Sequence, residues 1–140
     1  MSDMASFEEK TVFNNQIFQT LVVAALGILM AVNLFNAIFA LSYISLLPFA
    51  VQATVLVLVL TKDKYAKSAI NIWSILLMVG SGFSLLGKII YLTIGDNVEL
   101  GSLFLQAIFL SIGIAVYYYN METTEVVSIP TKGTNRPPQP

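Results

Sequence analysis

The chain has 140 residues, of which 56% are hydrophobic and only 11% charged, whereas soluble domains average about 25% charged. Seven basic and eight acidic side chains cannot clothe a soluble protein of this size, so the composition points to an integral membrane protein. The absence of Cys and His excludes thiol catalysis, disulfides, Cys/His metal sites and imidazole acid–base chemistry, and neither cofactor nor metal is expected.

The N-terminal stretch carries Asp3, Glu8 and Glu9 against a single Lys10. That is the reverse of a positive n-region, so no cleavable signal peptide is expected. Ser6-Phe7-Glu8-Glu9 matches the S-x-x-E capping box and predicts an interfacial helical start over about 7–16. From Thr11 to Thr61 there is no charged side chain, a run of 51 residues. One crossing takes about 20, so the run predicts two helices, about 17–38 and 46–61, joined by a tight hairpin. Ser45 is the expected N-cap of the second, and Pro48 is tolerated there only in the first turn. A re-entrant or interfacial segment over 36–45 is the alternative, because Ala37 to Leu41 is itself apolar.

Lys62-Asp63-Lys64-Tyr65-Ala66-Lys67 is the dense charge cluster and belongs in water or headgroups. A third apolar helix follows over 69–94, interrupted only by Lys88, and Gly95-Asp96-Asn97 is a turn signature. A fourth helix is expected over 100–119. The segment 122–140 is polar and Pro-rich and reads as a mostly disordered tail. The predicted fold class is thus all-α: a four-transmembrane-helix up-down-up-down bundle with short loops, forming a single membrane domain over 1–121.

Four crossings collect Lys10, Lys62, Lys64, Lys67, Lys132 and Arg136 on one side, while the loop on the other side offers Asp96 and Glu99. The positive-inside rule then places both termini in the cytoplasm, in a plasma or inner membrane. Small residues let helices approach closely in lipid, so Thr20, Ala24, Gly27 and Ala31 on the first helix and Gly80, Ser84 and Gly87 on the third are the expected packing seams. They would serve contacts within the subunit or with a second copy or partner.

Lys88 is the ionisable residue within an apolar run, about 9 Å from the end of its helix. It is expected to snorkel toward the headgroups and meet Asp96, Glu99 or a lipid phosphate. The functional reading gathers Lys88, Asn33, Asn36 and Asp96 at a ligand site or pore mouth. Gln52 and Gln106 are expected deeper in the bilayer, with no single stripe connecting the amides. No carboxylate lies within the four predicted helices; this departs from the small multidrug resistance transporters, which have the same size and helix count but depend on an acidic residue in their first helix. The sequence therefore predicts a non-enzymatic membrane protein acting as an accessory or assembly subunit or scaffold. The alternative is a small oligomeric channel or transporter. The expected partners are the lipid bilayer and a membrane protein or second copy, not nucleic acid.

Overall fold

A computed structural model of the chain describes residues 7–131. The protein is mostly helical, with α1 over Gln16–Phe39, α2 over Leu46–Leu60, α3 over Ala66–Ile94 and α4 over Leu100–Thr123. Each is long and apolar enough to cross a membrane, α2 together with the 3-10 turn Tyr43–Ser45 that leads into it. In lipid the backbone must satisfy its hydrogen bonds within the segment, which selects helix for such runs.

Asn15 starts α1, its side-chain oxygen accepting from the N–H of Ile17 at 3.0 Å and of Phe18 at 3.2 Å. In the α1–α2 connection, α1 runs to Phe39 and the 3-10 turn passes directly into α2. Ser45 makes no side-chain cap, because its backbone is already helical (φ −66°, ψ −16°) where a capping residue is extended; its N–H donates to the Ser42 carbonyl at 3.0 Å. Pro48 lies in the first turn of α2 as expected.

Two segments depart from the sequence reading. Phe7–Phe13 is not helical but a strand, β1, and Thr124–Pro130 of the expected disordered tail is its antiparallel partner, β2, in register from Phe7 opposite Pro130 to Phe13 opposite Thr124. The remainder of that tail, 132–140, lies outside the described residues. A capping box is worth about 1 kcal/mol, whereas a seven-residue ladder engages the whole segment, and Val12, Val126, Val127 and Ile129 favour strand. The second edge of β1 is also held, because the Thr11 N–H donates to the Lys62 carbonyl at 3.0 Å and Lys10 pairs with Asp63. The ribbon thereby ties together the start of α1, the α2–α3 connection and the end of α4.

The core lies among α1, α2 and α3, where Phe18, Val22, Leu26, Val55, Val59, Ala66, Ile70 and Trp73 are buried. α4 packs chiefly along α3, and only Gly113 and Asn120 of α4 are fully buried. Between α1 and α4 runs an apolar groove of about 310 Å³, with Phe18, Val22, Ile112 and Val116 in its walls.

Candidate functional site

The polar side chains concentrate along the contact between α3 and α4. Ser74, Ser81 and Lys88 recur at seven-residue intervals on α3, and Gln106, Gly113 and Asn120 do so on α4. Seven residues are close to two helical turns, so each set forms one stripe, and the two stripes meet. At one end Asn120 is fully buried, and its amide N–H groups reach the Asn71 side-chain oxygen at 2.7 Å and the Lys67 carbonyl at 2.9 Å. In the middle Gly113 lies against Ser74 and Met78 so closely that a Cβ would stand 2.8 Å from Met78 Cγ and 3.2 Å from the Ser74 carbonyl oxygen. At the other end Lys88 Nζ donates to the Ser102 carbonyl at 3.3 Å.

The hydroxyls within the seam bond to their own helix: Ser74 to the Asn71 carbonyl, and Ser81 to the Leu77 carbonyl. Near the ribbon, Asn120 Oδ1 and Thr124 Oγ1, one turn apart, are buried without a partner among the described residues. Thr11, also fully buried, donates its hydroxyl to the Asp63 carbonyl.

The expected ligand or pore-mouth residues have different partners. Asn33 bonds across the α1–α2 hairpin, its amide N–H donating to Gln52 Oε1 at 2.9 Å. Gln52 is therefore level with Asn33, not deeper: each lies six residues from its helix end at the hairpin. Asn36 and Asp96 are exposed. Lys88 is half-buried, and neither Asp96 nor Glu99 forms an ion pair with it.

Most of the small-residue positions lie outward. Thr20, Ala24, Gly27, Ala31 and Gly80 are exposed, and a Cβ on Gly27, Gly80 or Gly87 would meet nothing within 4 Å. Ser84 is half-buried. Phe18, Val22 and Leu26, at four-residue spacing, take the core face of α1, and the small residues lie outward together with Leu21, Ile28 and Val32. The close approach is made instead at Gly113, which the sequence reading passed over together with Ser74 and Asn120. The signal that marks them is the seven-residue recurrence on both helices.

Compared with known protein families, with curated proteins and with solved structures, the chain matches none.

Proposed function

We propose that this is a non-enzymatic membrane protein that serves as an accessory or assembly subunit or scaffold through helix contacts within the bilayer. Its four helices form an up-down-up-down bundle with both termini in the cytoplasm. The ribbon's hydrogen bonds to the α2–α3 connection support that arrangement, as does the meeting of Asn71 with Asn120 and of Lys88 with Ser102, which runs α3 and α4 in opposite directions.

The observation that carries the reading is the outward face of α1, where Thr20, Ala24, Gly27 and Ala31 are exposed and Gly27 has open space above its backbone. Large residues would shield that backbone from lipid; small ones let a second helix approach it. Affinity purification in mild detergent with quantitative mass spectrometry tests the reading. The expected outcome is a partner or second copy in fixed stoichiometry, lost on Gly27→Leu while the helix content of the protein is unchanged. Recovery of a monomer alone in both cases would overturn it.

A second reading, a small oligomeric channel or transporter with Lys88 near its outer entrance, draws on the polar contacts at the two ends of the α3–α4 seam. It predicts a solute or ion flux in liposomes that Lys88→Ala abolishes.

A further inference from the structure

We infer that Lys88 binds the phosphodiester of a net-anionic phospholipid in the leaflet at the 95–99 end of the molecule. The inference rests on the membrane-spanning reading above. It begins from a charge without compensation. An ammonium has three donors; one reaches the neutral Ser102 carbonyl at 3.3 Å. The ion pairs among the described residues are Lys10 with Glu8 and Lys64 with Glu9. Both belong to the ribbon end, whereas Lys88 is half-buried near the other.

Basic side chains at membrane depth pair with an anion or with backbone carbonyls. A single carbonyl at 3.3 Å does not cancel a full charge, and Ser102 stands in the first turn of α4, where the helix dipole is positive. The missing anion therefore comes from outside the chain, and depth selects which one. α3 has 29 residues, about 43 Å of helix, against a hydrocarbon layer of about 30 Å. Lys88 is six residues from its end, about 9 Å, so a lysine stem carries the charge to the phosphate layer. The Gly87 flank admits a headgroup, since a Cβ there would meet nothing within 4 Å, whereas the Gly101 flank carries the Glu99 carboxylate, 4.0 Å from the Cβ position.

The full chain in a neutral detergent is titrated with phosphatidylglycerol and, separately, phosphatidylcholine, and the bound lipid is counted by native mass spectrometry. Wild type is expected to retain phosphatidylglycerol preferentially. Lys88→Gln should weaken that retention about tenfold, the effect of losing one charge-assisted bond; Lys88→Arg should keep it, and Lys62→Gln at the ribbon end should leave it unchanged. Circular dichroism of each variant separates lost binding from lost folding.

Equal retention by wild type and Lys88→Gln would overturn the inference, as would an equal loss in Lys62→Gln, which reports general attraction rather than a site. Displacement of the lipid by inorganic phosphate at matching concentration would reassign the site to a soluble anion. Alkaline carbonate treatment of membranes bearing the wild type tests the underlying reading by itself. Release would overturn membrane insertion, whereas retention combined with a silent Lys88→Gln would overturn the lipid site alone.

Discussion

Gly113 and Lys62 are two residues whose local geometry leaves little freedom. A Cβ at Gly113 would also stand 3.3 Å from the Met78 backbone nitrogen, so a larger residue must push α4 away from α3. Gly113→Leu is expected to destabilise the protein by about 1–3 kcal/mol through overpacking, read as a lower thermal midpoint in detergent, while Gly27→Leu leaves that midpoint unchanged. Equal effects of the two would refute the assignment of the seam. Lys62 adopts φ 53° to close α2, with its N–H on the Val59 carbonyl at 3.3 Å and that of Asp63 on the Leu58 carbonyl at 3.1 Å. This is the Schellman pattern, in which glycine is the favoured residue. Lys62→Gly should therefore raise stability by about 1 kcal/mol, the cost of holding an L-residue left-handed; an unchanged or lower midpoint would refute it. Gly95 fills the corresponding position after α3 with φ 90°, and its sequence neighbours announced that turn. Nothing in Lys62-Asp63-Lys64 announces a left-handed lysine, because the requirement comes from where Thr11 needs the Lys62 carbonyl. Asn120 was similarly hidden: its burial depends on Lys67 and Asn71 arriving from another helix.

Among the elements, the helices were legible and the ribbon was not. A charge-free run in lipid has few options besides helix, so gaps between charges locate the four spans within a few residues, even though α3 begins at Ala66 and α4 extends to Thr123. A two-stranded ribbon depends on a partner more than a hundred residues away in the chain, and each strand read alone carries a competing local signal. Its ladder can still be phased. The Asn14 N–H donates to the Thr123 carbonyl at 2.9 Å, and hydrogen-bonded pairs alternate in an antiparallel sheet, so Val12 with Glu125 and Lys10 with Val127 are bonded pairs. Thr11 accordingly faces the other edge, where its N–H meets Lys62. Pro130 occupies an outward position of β2, where no ladder donor is needed. Val127→Pro removes a donor aimed at β1 and is expected to open the ribbon without melting the helices. Hydrogen exchange should accelerate over Phe7–Phe13 while far-ultraviolet circular dichroism stays constant. Unchanged protection of Phe7–Phe13 would show that the ladder phase is wrong.

At the scale of the molecule, the ribbon changes what the charge asymmetry means. Lys10, Lys62, Lys64 and Lys67 are basic residues of one end, but Glu8, Glu9, Asp63, Glu122 and Glu125 accompany them, and two of the lysines are paired with glutamates. Acidic residues contribute little to orientation, which follows the count of Lys and Arg near the spans, so a nearly neutral folded end is compatible with the proposed cytoplasmic orientation. The ribbon also makes orientation a single choice rather than three, since β1, the α2–α3 connection and β2 are hydrogen-bonded to one another and must share a side. The chain has no cysteine, so single cysteines report without background. A cysteine at Ser128, exposed on β2, and one at Asn97, exposed in the α3–α4 loop, are expected to behave oppositely toward a membrane-impermeant maleimide added to intact cells. Position 97 should label at once, and position 128 only after the membrane is permeabilised. The reverse pattern would invert the orientation and leave the bundle intact, whereas labelling of both positions from outside would place the two ends on one side and break the four-crossing arrangement itself.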